Sequence, residues 1–259
     1  MSFLTVYITD KTYTNGVQAI RDLHFQVAKG EFVALVAPSG AGKSTLLNLL
    51  AGLDTDFQGK LAFPADASLS FMFQEPRLLP WLTVEDNIRL VLDAPARHTD
   101  LTRFARMDLL LQQLGLQDFR QLYPNQLSGG MKRRAALVRA FVTRPAVLLM
   151  DEPFQSLDEP TAQGLRQLLL QLWAEHHPTV LFVTHSLNEA LLLADRILFL
   201  SARPAQVVLD YTVPLPRPRP QQLSELQALQ TELLQRFPQL LSGSGVSSQP
   251  FANPAAPKL

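Results

Sequence analysis

Cysteine is absent from the 259 residues, and with it go disulfides, thiolate metal sites and cysteine nucleophiles. That composition allows a reducing compartment without requiring one. Charge of one sign is missing too: 23 Lys plus Arg balance 23 Asp plus Glu. No global field therefore directs the chain to nucleic acid or anionic lipid, and no nucleic-acid partner is expected. No stretch approaches the ~18 uninterrupted apolar residues of a membrane helix. The apolar runs at 147–150 and 190–194 are far too short. The opening MSFLTVYITDKTY has no basic segment leading into an apolar one, so no secretory signal is expected and the mature chain should start at Met1. Service to a membrane must pass through a partner. Internal repeats are lacking as well.

What is present suits a globular chain. At 47% hydrophobic, this length buries a sizeable core, as one domain or one domain with an appendage. Three short apolar runs, at 32–36, 146–150 and 179–183, end in Ala37-Pro38-Ser39-Gly40, Asp151-Glu152-Pro153 and Thr184-His185. Alternation of such runs with helical patterns predicts an α/β fold around a mainly parallel sheet. From Gln74 to Arg144 the texture turns helical (Met107, Leu110, Leu111, Leu114), with breaks at Pro95, Gly115 and Pro124. A helical subdomain at about 75–144, inserted into the sheet, is expected. Further on, Pro214, Pro216, Pro218 and Pro220 space out arginines in extended backbone. Leu223, Leu226, Leu229, Leu233 and Phe237 then line a short helix within 221–241, and the Ser, Gly, Pro and Ala of 242–259 predict disorder.

The chemistry begins at Pro38-Ser39-Gly40-Ala41-Gly42-Lys43-Ser44-Thr45, the Walker A pattern with Ala37 in place of its first glycine. Phosphate binding needs backbone N–H groups turned inward and a helix N-terminus directly behind them. Lys43 is expected at the β and γ phosphates, with the Ser44 hydroxyl on Mg2+. Two unit charges ~4 Å apart attract by about 4 kcal/mol at an effective dielectric of 20, against about 0.3–2 kcal/mol for a helix end, so the lysine dominates. A Gly-rich turn before an ordinary helix would look similar in isolation; strand, GKST and helix together favour the phosphate reading. Ala37 is tolerable there if its φ is negative, and strained if only glycine fits.

Asp151 and Glu152 leave an apolar strand at its carboxyl end, where open parallel sheets bind ligands. Asp151 suits Mg2+ through water, and Glu152 suits a general base that orients and deprotonates an attacking water. Paired acids at a strand end are in isolation more often plain turn residues, and the upstream GKST reverses those odds. His185 stands at the equivalent place after the next strand, where a neutral imidazole can hydrogen-bond the γ phosphate.

Leu127-Ser128-Gly129-Gly130-Met131 resembles the signature of the ABC ATPases. Ser128, Gly129 and Gly130 open a helix and offer phosphate a hydroxyl, bare N–H groups and a positive dipole end. The resemblance runs from about residue 3 to 208 and implies an ABC-type P-loop nucleotide-binding domain over 1–220, with an antiparallel β subdomain near the N-terminus. It implies a head-to-tail pair of subunits, a homodimer or a pair of paralogues, sandwiching two ATP. Ser128, Gly129 and Gly130 of each chain then complete the other's site. It further implies Tyr13 on adenine, the backbone of Ser39 to Thr45 (Ala41 included) on phosphate, and Gln74 on Mg2+ and the membrane subunit. Leu157-Asp158 matches the loop that touches the opposite protomer.

Residues 73–81, with Leu200-Ser201-Ala202-Arg203-Pro204, look like ATPases of nitrate, sulfonate and taurine importers. That class implies a transmembrane permease, a separate solute-binding protein, and work on the cytoplasmic face of the inner membrane. Trp81 either docks on the permease or fills the subdomain core. The rival readings are a non-transport ABC ATPase, a weakly hydrolysing regulatory subunit and an exporter component; the solute itself is not legible. Arg133, where the family commonly has glutamine, and Gln155-Ser156, where Gly-Ala or Ser-Ala is common, are further departures.

Overall fold

A computed structural model describes residues 2–93, 102–217, 219 and 223–243. The proline breaks at Pro95, Pro218 and Pro220, the side chain of Leu223 and the tail beyond Gly243 lie outside the described residues. The chain divides into two compact units: one takes the sequence up to Asp66 and from Thr179 onward, the other Ala67–Pro178.

The first unit carries two sheets. Strands β1 (Leu4–Thr12), β2 (Gln18–Val27) and β4 (Gln58–Ala62) form an antiparallel sheet in the order β2-β1-β4. Strand β3 (Phe32–Val36) pairs in parallel with β7 (Thr179–Thr184) on one side and β8 (Arg196–Leu200) on the other. β9 (Val207–Thr212) adds an antiparallel edge to β8. Every residue of β3 and β7 is buried. Such continuous apolar runs, without polar alternation, belong to strands covered on both faces. Helix α1 (Lys43–Leu50) follows β3, and α6 (Leu187–Leu193) packs on it.

The second unit pairs β5 (Leu69–Met72) in parallel with β6 (Val147–Asp151) and holds α2 (Val84–Leu92), α3 (Arg103–Gln113), α4 (Gly129–Phe141) and α5 (Glu159–His176). Helix α4 packs on β5, α2, α3 and α5. Met107, Leu110, Leu111 and Leu114, the stripe expected of a helix, are all buried. β6 starts one residue later than its apolar run. The N–H groups of Ala146 and Val147 both reach the Ser68 carbonyl, at 2.8 and 3.0 Å, so Ala146 precedes the ladder.

The Pro-Arg segment closes the first unit in an unexpected manner. Arg219 is 2% exposed and donates to the carbonyls of Leu191 (2.8 Å), Ala194 (2.6 Å) and Leu215 (3.0 Å). These include carbonyls at the end of α6 that have no intrahelical donor. Burial, and then the neighbouring Arg217, lower its pKa to about 10 against the pull of Asp195. Beyond it α7 (Leu223–Arg236) packs on α6. Leu226 and Leu233 are buried on it, and Leu240, seven residues further and past its end, is buried too, whereas Leu229 and the following Phe237 are only half-buried. The chain then turns through Ser242 to Gly243, whose carbonyl accepts the Ala202 N–H at 3.0 Å.

Candidate functional site

In the first unit the sequence-predicted phosphate residues gather at the carboxyl ends of β3 and β7. Val36 registers with Thr184, so Ala37 and His185 leave the sheet side by side. His185, Ser39, Gly40 and Ser44 are exposed. Gly40 and Gly42 have φ of 75° and 98°, left-handed values that side chains rarely adopt. A Cβ on Gly42 would also lie 2.8 Å from the Ala19 carbonyl oxygen. Gly42 caps α1 by position with no side-chain bond, and the first turn carries no acid. Lys43, 6% exposed, folds its ammonium back onto the carbonyls of Ala37 (2.9 Å) and Pro38 (3.0 Å). Ala37 is not among the described non-glycine residues with positive φ, so alanine is accommodated in place of the usual first glycine without that strain.

Tyr13 lies in the turn after β1 and shares a hydrogen bond of 2.9 Å with Thr45 Oγ1. Its ring, with the Lys11 ammonium 4.8 Å from the centroid, thus stands beside the start of α1. Sequence reasoning gave no role to the side chain of Arg203. It donates twice to the Gly40 carbonyl, Nε at 3.0 Å and Nη2 at 2.8 Å, and so pins the tip of the phosphate loop. Residue type alone signalled nothing there, since any surface arginine reads alike.

The second unit presents the acids and the signature. Met72 registers with Met150, so Gln74 and Glu152 lie two residues past the same edge of the β5–β6 pair. Asp151 ends β6 and is 8% exposed. Glu152 has φ of 42° and Ser156 of 63°, conformations that cost on the order of 1–3 kcal/mol and cluster at functional sites. Ser128 caps α4 by accepting the Met131 N–H at 3.2 Å. Gly129 faces open space, whereas a Cβ on Gly130 would stand 2.7 Å from Thr161 Cγ2. Thr161 is itself held by Asp158, the N-cap of α5, which accepts its N–H at 3.0 Å and its hydroxyl at 2.8 Å.

Residues 20–155 match the ABC transporter family. Over 230 residues the chain is 42% identical to the aliphatic sulfonates import ATP-binding protein SsuB 1 of Xanthomonas axonopodis pv. citri, covering 86% of this chain and 91% of the relative. It is 45% identical over 220 residues to a protein of the same name from Pseudomonas fluorescens, covering 84% and 81%. The chain belongs to the ABC transporter family. It is an ATP-binding, ATP-hydrolysing subunit of such a transporter. Among solved structures, the dimeric post-hydrolysis state of the ATP-binding cassette MJ0796 bound to ADP and Pi aligns with a TM-score of 0.69. That alignment has 30% identity and covers 81% of this chain and 98% of that one.

Knowing this to be an ABC ATPase gives the remaining features of the second unit their place. Trp81 is 69% exposed, so it does not fill the subdomain core. The loop on either side of it is held by Asn87, which is fully buried. Asn87 accepts the Leu79 N–H at 2.7 Å and donates to the carbonyls of Leu79, Leu82 and Thr83 at 3.1, 3.1 and 2.9 Å. On α4, Arg139 donates to Pro76 (2.6 Å) and Arg77 (2.8 Å) carbonyls. The loop that follows Gln74 is therefore stapled to the signature helix. No helix among the described residues is long and apolar enough to cross a membrane.

Proposed function

We propose that this ABC ATPase energises the import of aliphatic sulfonates from the cytoplasmic face of the inner membrane, with a permease and a separate solute-binding protein. The observation that carries this is the 42% identity, over 86% of the chain, with a sulfonate-import ATP-binding protein. Exposed Trp81, in a loop held by a buried asparagine, supports docking to a membrane subunit, because aromatic anchors dominate such interfaces.

At the level of residues, Tyr13 stacks on adenine. The N–H groups from Ser39 to Thr45, through Gly40, Ala41 and Gly42, cradle the phosphates, and Lys43 exchanges the Ala37 and Pro38 carbonyls for phosphate oxygens. His185 holds the γ phosphate. Mg2+ is the expected companion of ATP. Among the described residues no cluster of three His, Asp or Glu side chains would hold a metal alone. Mg2+ takes one or two carboxylates and completes its shell with phosphate and water. Ser44, Gln74 and Asp151 offer hard oxygens of the right kind. When bound, Mg2+ neutralises charge developing on the phosphates. Glu152 takes a proton from the attacking water. Ser128, Gly129 and Gly130 of a second chain meet the γ phosphate from outside.

The test is uptake of a radiolabelled aliphatic sulfonate in cells lacking this chain, complemented by the wild type or by Glu152→Gln. Wild type should restore sulfonate uptake and Glu152→Gln should not. Restored uptake of nitrate with sulfonate unaffected would overturn the substrate. Affinity purification of Glu152→Gln with ATP should bring down a multi-span protein, and recovery of soluble partners alone would overturn transport.

A further inference from the structure

Two positions at which this chain departs from the common ABC pattern, Arg133 and Gln155, are in contact with each other. Arg133 sits one turn into α4 and is 6% exposed. Its Nη1 donates to the Phe73 carbonyl and its Nη2 to the Gln155 carbonyl, each at 3.3 Å. Burial lowers its pKa and the charge of Glu75 opposes that shift; a guanidinium stays charged even so. A third bond closes the cluster: the Gln74 side-chain amide donates from Nε2 to Oε1 of Gln155. The Gln155 N–H in turn reaches the Glu152 carbonyl at 3.1 Å, in the turn that follows the acid pair. Glycine or serine at position 155 would have no side-chain amide carbonyl to receive Gln74.

We infer that Gln155 is a latch on Gln74: its side-chain carbonyl holds the Gln74 amide at rest, Arg133 fixes the two backbones beneath it, and binding of a magnesium nucleotide must break this bond. The inference rests on the assignment of Gln74 to Mg2+ under Proposed function. With Nε2 held by Gln155 the direction of Gln74 Oε1 is fixed; a turn of the amide that brings this oxygen to a metal breaks the bond, a differential binding cost borne only by the magnesium complex. The same contact joins the loop that carries Trp81 to the turn that carries Glu152. The two departures thus work as a pair, one placing the backbone and the other supplying the acceptor.

The experiment is a double-mutant cycle on the full-length chain, read as nucleotide affinity by titration with a fluorescent ATP analogue, in Mg2+ and in EDTA. Gln155→Gly should tighten binding about five-fold in Mg2+, on the order of one net hydrogen bond, with no change in EDTA. In a Gln74→Ala background the same substitution should change nothing, because the latched group is gone. An equal effect with and without Mg2+, an effect that survives Gln74→Ala, or no effect at all would overturn the latch. If Gln74→Ala alone leaves the Mg2+ dependence intact, the assignment of Gln74 fails. Hydrogen exchange in the absence of nucleotide reads the latch separately. Amides at 73–75, 152 and 154–157 should exchange faster in both Gln155→Gly and Arg133→Gln, and unchanged protection in both variants would sink the contact itself.

Discussion

Single residues here carry two kinds of work that the letters of the sequence do not separate. The Walker A spacing singles out Lys43 for phosphate, and its ammonium bridges two loop carbonyls that a phosphate is expected to replace. Lys43→Ala should cost on the order of a hundredfold or more in ATP affinity, given about 4 kcal/mol for the charge pair, measurable by the same titration. Gly130 was expected to bare an N–H for a partner's nucleotide, yet it has a second reason to be glycine. A methyl there meets Thr161 Cγ2 at 2.7 Å, and Thr161 cannot swing aside without leaving Asp158. Gly130→Ala should destabilise the chain by about 1–3 kcal/mol, the usual cost of overpacking. Adding Thr161→Ser, which keeps the hydroxyl and removes the methyl, should recover most of that in urea unfolding. Failure to recover would return Gly130 to a purely ligand-facing role.

Elements show which parts of the fold a sequence can announce. Strand β3 and helix α1 fall where the apolar run and the GKST motif put them, because local pattern and burial agree there. The stripe of α3 was readable for the same reason. What stayed hidden depends on acceptors that the letters do not name: Arg203 on Gly40 and Arg219 on the end of α6, both far off in sequence, and Asn87 on the loop at residues 79–83. A polar residue in a helical pattern looks solvated until its acceptors are known, and Asn87 is instead fully buried. The positive φ of Glu152 is likewise imposed by the turn it enters. Asn87→Ala removes the acceptor of the Leu79 N–H and a donor to the Leu82 carbonyl, while the Leu79 and Thr83 carbonyls keep the N–H groups of Leu82 and of residue 87 itself; each buried group so stranded costs about 1–3 kcal/mol. In a Trp173→Phe background, Asn87→Ala should shift Trp81 emission and weaken binding to the permease more than it weakens ATP binding. Equal losses in both would mean that Asn87 supports the unit as a whole, with no special part in presenting Trp81.

At the scale of the whole molecule, one chain holds a phosphate loop with its histidine in one unit and a pair of acids with a glycine-led helix end in the other. The signature helix has no acidic residue in its first turn, and its capping Ser128 is exposed. An exposed positive helix end attracts anions, and ATP held by another copy of the chain offers one. ATP should therefore drive association wherever hydrolysis is blocked. Glu152→Gln with ATP should sediment as a dimer, while the same variant with ADP should remain a monomer, since ADP lacks the γ phosphate that the second chain would grip. Adding Gly130→Asp places a carboxylate at that helix end and should abolish the dimer, because like charges then face each other across the nucleotide. Its effect on ATP affinity of the monomer should be small, as the phosphate loop is untouched. A dimer that persists with Gly130→Asp would refute signature-mediated closure. Loss of monomer ATP binding in that variant would show that the substitution had damaged the fold, and Ser128→Ala would then carry the test, expected to weaken the dimer with ATP affinity retained.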